Sequence, residues 1–148
     1  MKLENTIVIV ADLGELKAYE VHKNEGIVGN EIKISHSLEM INDENFIEGR
    51  KKISELMSDN TGRMIHDTLD EHNAIEEQEN RTLKDIAQNI EAIVTQIKPK
   101  QVLLAFPKEH NHQLMNILNK SVQLLIVKNL PLDLVKTDKN KILSHFID

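Results

Sequence analysis

The residues best suited to chemistry or binding lie near the middle of the chain, where Asp59 precedes Thr61, Gly62 and Arg63. Glycine can adopt positive φ and turn backbone N–H groups outward, and an arginine can hold a phosphate or carboxylate through two parallel hydrogen bonds. The same residues also suit an ordinary turn, in which the aspartate bonds to nearby backbone and the arginine pairs with an acid. A binding loop and a structural turn are both open interpretations.

Two histidine-containing groups consist of residue types that bind metals. One lies between His66 and His72 and includes three acids, and the other is the pair His110 and His112. Imidazoles two residues apart do not share a helical face, so the second pair would need a turn or strand to converge. Neither group offers three ligands that must meet, so we predict no metal site and no cofactor.

Asp12 follows the first apolar run and is a further binding candidate, since it could supply one carboxylate to a divalent ion. Two-metal hydrolysis needs several carboxylates converging on both ions, and the apolar run at 102–106 contains no acid. The chain also lacks a phosphate-binding glycine loop, a dinucleotide-binding turn, a nucleophile elbow and an HExxH zinc motif. We therefore assign no catalytic residue and favour a function without catalysis.

Composition and charge narrow the class of protein. A chain of 148 residues fits one domain, which can bury about 68–70% of its unfolded surface. The net charge of −6 disfavours broad nucleic-acid binding, and the absence of cysteine excludes disulfides and thiol nucleophiles. No run approaches the roughly 20 apolar residues of a membrane helix, and the N-terminus does not resemble a signal peptide. These features predict a soluble cytoplasmic protein.

The first third of the chain predicts three strands. Residues 6–10 are a continuous β-branched run, which is typical of a strand buried on both faces. A turn around Gly14 leads to a second strand at 15–21. Residues 24–30 contain Gly26 and Gly29 and predict another turn, before a strictly alternating third strand at 31–35.

The middle of the chain is polar and its pattern is weak. Residues 46–57 predict a helical piece, and residues 58–73 combine turn chemistry with charge. We predict a polar loop region at about 58–78. Segments of this length without clear structure are usually functional or mobile.

The second half predicts helices that alternate with strands. The clearest element is a helix at 83–97, with one apolar stripe followed by Pro99: Leu83, Ile86, Ala87, Ile90, Ile93, Val94 and Ile97. A strand at 102–106, a helix at 109–119, a strand at 123–127 and a short helix from about Asp138 follow. The order predicts an α/β domain with one mixed five-stranded sheet, strand order 3-2-1-4-5, flanked by helices.

Five segments together resemble the bacterial host-attachment protein family. They are the opening Ile-Val-Ile-Val-Ala-Asp at 7–12, His36 with Glu39, the Ser-Asp-Asn-Thr-Gly-Arg at 58–63, the Leu-Ala-Phe-Pro at 104–107 and the Lys-Asn-Leu at 128–130. Two departures are visible. Asn129 stands where the family usually has an aspartate, and residues 108–112 replace a usual Leu-Gly-x-Leu-Arg helix start.

That family is similar in fold to ribonuclease H-like proteins and to the middle domain of archaeal and eukaryotic peptide-chain release factors and of Pelota. In release factors, the loop between the third strand and the long helix carries Gly-Gly-Gln, which promotes peptidyl-tRNA hydrolysis. Here Thr61, Gly62 and Arg63 occupy that interval, and the next glutamine is Gln78. The resemblance therefore implies the loop without its catalytic glutamine.

The resemblance implies a cytoplasmic translation- or ribosome-associated factor that acts through residues 58–72, with the ribosome or tRNA as partner. One alternative is a non-ribosomal protein-interaction or regulatory module that affects attachment indirectly. Another is a hydrolase acting on peptidyl-tRNA or another ester. The residues themselves leave these three functions open.

Overall fold

Five strands form one mixed sheet with helices on both faces, in a computed structural model that describes residues 2–46 and 68–147. The elements are β1 (Thr6–Ala11), β2 (Glu15–Val28), β3 (Glu31–Asn45), α1 (Thr68–Ile97), β4 (Gln101–Ala105), α2 (Lys108–Ile117), α3 (Lys120–Leu125), β5 (Ile126–Leu130), α4 (Lys139–Ile142) and a 3₁₀ turn (Leu143–His145). The strand order β3-β2-β1-β4-β5 confirms the predicted sheet and the α/β class.

The central strand β1 pairs antiparallel with β2 and parallel with β4, and β4 pairs parallel with β5. Every residue of β1 is buried, as its unbroken apolar run predicts for a strand covered on both faces. Because β1, β4 and β5 run in the same direction, they all finish at one end of the sheet. We call this the carboxyl end, and the opposite one the amino end.

Each face of the sheet has its own apolar core. One face packs against α1, α2 and α3, through a cluster that includes Ile9, Leu104, Phe106, Leu83, Ile86, Ile90, Leu114 and Val122. The other packs against the C-terminal segment, through a cluster that includes Val8, Val10, Leu103, Leu134, Ile142 and Phe146. The stripe predicted at 83–97 is confirmed, since six of its seven members are buried. Of the helices described, none is both long and apolar enough to cross a membrane.

The β2–β3 hairpin is much longer than predicted. The turn predicted at 24–30 is wrong, because β2 continues to Val28 and only Gly29 and Asn30 connect it to β3. Gly29 has φ of +66°, which a residue without Cβ adopts without strain. The predicted third strand at 31–35 continues to Asn45. Backbone pairing between β2 and β3 sustains the added residues 22–28 and 36–45, most of which are exposed and whose polar sequence gives no clear strand pattern.

Two further predictions are corrected, and a third is not tested. Residues 68–78 of the predicted loop are helical, because α1 begins at Thr68, fifteen residues before its apolar stripe. The strand predicted at 123–127 is displaced, because Asn119 caps α3 by accepting from Val122 N–H and β5 begins only at Ile126. The helical piece predicted at 46–57 lies outside the described residues except for Phe46, whose N–H donates to Gly14 O at 2.8 Å.

The hairpin extends well beyond the rest of the sheet. The last residue of β2 that pairs with β1 is Glu20, so residues 21–28 and 31–38 form a two-stranded extension that we call the β-arm. Eight strand residues span about 27 Å. The β-arm therefore projects from the amino end of the sheet, opposite the carboxyl end.

Candidate functional site

Asp12 lies at the carboxyl end, where it closes the turn between β1 and β2. Its Oδ1 accepts the N–H of Gly14 at 2.7 Å and that of Glu15 at 2.8 Å, and its own N–H donates to Glu15 O at 2.9 Å. The predicted binding candidate therefore has a structural task, because it replaces backbone partners at a tight turn.

Asp133 stands beside Asp12, in the segment that follows β5. Its Oδ1 accepts the N–H of Val135 at 3.1 Å. Burial raises the pKa of Asp133, and the neighbouring Asp12 raises it further, both by its negative charge and by accepting a hydrogen bond from the protonated form. Asp133 therefore holds its proton more tightly than a free aspartate does, and the two aspartates form a close acidic pair.

A second acidic pair lies next to the first. Burial raises the pKa of Glu15, a hydrogen bond with Asp43 adds to this, and the Lys17 ammonium opposes it. Lys17 Nζ lies 3.9 Å from Glu15 Oε2 and donates to Val135 O at 3.0 Å. Lys17 therefore ties β2 to the segment that carries Asp133, and it is the cation nearest to Glu15 in this cluster.

Replacing Asp133 with asparagine is expected to stabilise the protein near neutral pH. The raised folded-state pKa means that the native state holds its proton more tightly than the unfolded chain, so wild-type stability falls as pH rises from the unfolded pKa through the folded one. The introduced amide keeps an oxygen for Val135 N–H but cannot ionise. Urea unfolding from pH 3 to pH 8 should show the variant's advantage growing as pH rises above about 4.

The matched control is Asp138→Asn, because Asp138 is an exposed helix cap whose Oδ1 accepts Asn140 N–H and asparagine caps equally well. Its stability difference from wild type should stay nearly constant with pH. A pH-independent effect of Asp133→Asn would contradict the raised pKa of Asp133 in the folded state.

Two asparagines fasten α2 to the ends of β4 and β5. Asn111 and Asn129 exchange side-chain hydrogen bonds of 2.8 and 2.7 Å, and Asn111 Nδ2 also donates to Phe106 O at 2.9 Å. Both departures from the family pattern therefore meet in one neutral amide pair. This pair holds the start of α2 over the carboxyl end without adding charge.

A small acidic cleft lies between α1 and α2. His110 Nε2 is 2.7 Å from Glu79 Oε2, and both side chains are about a fifth exposed (21% and 22%). Glu76, Glu109 and Gln113 also line this cleft of about 220 Å³. His110 thus pairs the two helices, and the two histidines of α2 do not converge, because His112 lies two positions further on the same helix.

The histidine and glutamate of the second family segment lie far from the carboxyl end, on or beside the β-arm. Glu39 Oε2 is 2.7 Å from His22 Nε2 across the two strands. His36 stands opposite Lys23 and lines a groove of about 600 Å³ with Lys2 and Val21. These two residues therefore do not join Asp12 in one site.

The remaining predicted site residues, Asp59, Thr61, Gly62 and Arg63, lie outside the described residues, as do His66 and Asp67. The flanking elements are described. Phe46 follows the end of β3, next to the turn that Asp12 closes. Helix α1 ends at the amino end of the sheet, and its 30 residues span about 45 Å, so it begins beyond the carboxyl end. Both flanks of residues 47–67 thus lie on the carboxyl side.

The carboxyl end can bind, but its described residues offer little for catalysis. Within residues 2–46 and 68–147, no three His, Asp or Glu side chains are arranged to hold a metal ion. The acidic pairs instead present carboxyl groups, which suit a cationic or hydrogen-bonding partner. Open α/β sheets bind ligands at this end of their strands.

Sequence patterns identified Asp12 but missed Glu15, Lys17, Asp43 and Asp133. Glu15 and Lys17 lie within the next five residues after Asp12 and could have been placed by the hairpin register. Asp133 follows the last strand, and the carboxyl ends of parallel strands meet at one end of a sheet. The predicted topology could therefore have placed Asp133 near Asp12. The displaced prediction for β5 concealed it, and Asp43 was hidden because β3 was predicted to end at residue 35.

One family model matches almost the whole chain. Its description is "Protein required for attachment to host cells", and the match covers residues 7–146. The matched range reaches into all five strands and includes both acidic pairs at the carboxyl end. No curated protein sequence matches the chain.

Proposed function

The chain belongs to the family of proteins required for attachment to host cells, and on that premise we propose that it is a cytoplasmic, non-catalytic factor that associates with the ribosome or tRNA through residues 58–72. Attachment is then an indirect consequence of altered translation. This function extends beyond the family description, which names a phenotype and no mechanism.

The observation that carries the proposal is the position of residues 47–67 in the topology. This segment connects β3 of a 3-2-1-4-5 sheet to the long helix α1, and both of its flanks lie on the carboxyl side. Release factors carry their functional loop at the same point of a similar order of elements. Because the analogy concerns fold alone, it supports a shared docking position more than a shared reaction.

Residues 47–67 also supply basic side chains that can contact a phosphate-rich partner. The chain as a whole is acidic, with a net charge of −6, and acids crowd the described carboxyl end. Residues 47–67 include four basic side chains: Arg50, Lys51, Lys52 and Arg63. Contacts to RNA phosphates would therefore come from this segment, and they would weaken as salt rises.

Sedimentation with ribosomes tests the proposal. Tagged wild-type protein should co-migrate with ribosomes at low salt and less at moderate salt. Arg63→Ala should lower the bound fraction, equivalent to about a tenfold loss of affinity, because a charge-assisted hydrogen bond contributes about 1.5–3 kcal/mol. Arg81→Ala removes the same charge from a pair with Glu77 on the exposed face of α1, and it should bind like wild type.

Three results would contradict this function. They are wild-type protein that stays in the supernatant at both salt concentrations, equal losses for the two arginine variants, and cells that are unaffected by Arg63→Ala. The second result would mean that binding depends on the net charge of the protein and not on Arg63 itself.

A second function, as a protein-interaction module, is favoured by one specific observation. The β-arm exposes Ile27, Ile32 and Ile34 at 79%, 70% and 55%, and exposed apolar clusters usually mark contact surfaces. A pull-down that enriches non-ribosomal proteins, and loses them when these isoleucines are replaced by serine, would favour this function over ribosome association.

A further inference from the structure

The outer strand of the β-arm is β3, and no strand among residues 2–46 and 68–147 pairs with its outer side. β3 lies at one end of the strand order, and within the described part of the chain its only sheet partner is β2. Ile27 and Ile32 stand opposite each other in the register, so they share one face of the β-arm and are both strongly exposed. A long outer strand that exposes isoleucines can pair with another strand.

The backbone of the β-arm can extend such a ladder. Val28 and Glu31 close the two-residue turn at Gly29 and Asn30, so they form a hydrogen-bonded pair. Hydrogen-bonded and non-bonded pairs alternate along antiparallel strands. The N–H and C=O groups of Ile32 and Ile34 are therefore directed away from β2, where a further strand can accept and donate.

We infer that the occupant is a second copy of this chain, whose β3 pairs antiparallel with the first about a two-fold axis at Ile32. In this register the two Ile32 side chains face each other, and Glu31 of each copy stands opposite Lys33 of the other. Symmetry repeats the ion pair on both sides of the axis. Opposite charges directly across two strands stabilise their pairing.

Charge complementarity supports this occupant and favours this register. Lys33 lies between the two isoleucines and disfavours pairing with unrelated apolar strands, but Glu31 of a second copy compensates it. Ser35 cannot lie on the axis, because its N–H and C=O groups are directed towards β2. An axis at His36 would pair Lys33 with Glu39 of the other copy, but it would leave Glu31 opposite the apolar Ile41. An axis at Ile34 would leave both Glu31 and Lys33 without a charged partner.

In the dimer, the exposed isoleucines of the two copies form one continuous apolar surface. Ile27 is the β2 neighbour of Ile32, so the dimer forms a row of four isoleucines across four strands. The paired segment is short, which places this interface in the small class of weakly associating contacts. It lies at the amino end of the sheet, so it is independent of ribosome association through residues 58–72.

Charge exchange tests the inference directly, using the full chain in sedimentation equilibrium over a wide concentration range. Wild-type protein should show a reversible monomer–dimer equilibrium. Glu31→Lys and Lys33→Glu should each lower the association constant about tenfold or more, because two attractive pairs become repulsive. The double variant, with both changes, should return to within about threefold of wild type. Lys84→Glu, on α1, is the control for net charge and should not differ.

Single-cysteine variants test the register, since the chain contains no cysteine of its own. Opposed Cα atoms in a hydrogen-bonded antiparallel pair are about 5.5 Å apart, within the span of a disulfide. With an added oxidant, Ile32→Cys should form covalent dimers faster than Ile34→Cys, and Gln88→Cys on α1 should form few. Circular dichroism of each variant confirms that it is folded.

The inference is overturned if folded wild-type protein stays monomeric at every concentration, or if the double charge exchange fails to restore association. Faster cross-linking of Ile34→Cys than of Ile32→Cys would reject the proposed register. If another part of the same chain covers the outer strand, the wild-type protein would stay monomeric at every concentration.

Discussion

Phe146→Ala is expected to lower the free energy of unfolding by about 3–5 kcal/mol, which is the usual cost of removing a buried aromatic ring. Phe146 is fully buried between the C-terminal segment and the sheet, in the cluster that contains Val8, Val10 and Leu103. The truncation would leave a cavity beneath the 3₁₀ turn. The free energy of unfolding of a natural domain is about 5–15 kcal/mol, so this loss would be a large fraction of the total stability.

Urea unfolding followed by circular dichroism would measure this change. The control is Leu124→Ala, because Leu124 is 75% exposed and its truncation should cost less than about 0.5 kcal/mol. A small effect of Phe146→Ala would mean that the C-terminal segment contributes little to the second core. In that case the placement of Asp133, which precedes this segment, would also be weakly fixed.

Ile90→Asp is expected to prevent stable folding altogether. Ile90 is fully buried at the centre of the α1 stripe, where an aspartate would have to be buried as an unpaired carboxylate or take up a proton. Added to the lost apolar contacts, this cost approaches or exceeds the roughly 5–15 kcal/mol that stabilise a domain. The soluble yield and the thermal unfolding transition would both report the loss.

Gln88→Asp is the matched control, since Gln88 is on the exposed side of the same helix. It introduces the same side chain at an exposed position, and the lower helix propensity of aspartate should change stability by less than about 1 kcal/mol. A soluble Ile90→Asp protein with a wild-type thermal transition would refute the position of the stripe against the sheet.

The elements predicted correctly are those in which one residue pattern has a single solution. The run at 6–10 is apolar at every position but the first, so it suits a strand covered on both faces, and the stripe at 83–97 repeats with helical spacing. The errors fall where local pattern is uninformative. The apolar run at 123–127 fits a helix or a strand equally well, and the Asn119 cap decides for a helix before β5.

The candidate site shows the same division. Asp12 could be identified because it directly follows the central strand, whereas the carboxyl pair that it forms with Asp133 joins residues 121 positions apart. Their proximity depends on β1 and β5 finishing at the same end of the sheet. The pKa of Asp133 depends on its burial there, and no local sequence pattern predicts that a single acidic residue is buried.

The sequence by itself determined the α/β class, the strand order and the helix that covers the sheet, because hydrophobic spacing dictates which surfaces must be buried. The tertiary structure alone decided the length of the β-arm, the two acidic pairs and the amide pair between Asn111 and Asn129. Each of these depends on backbone pairing or on contacts between distant segments. Such contacts produce no periodic pattern in the sequence, and they can be identified only once the register of the strands is known.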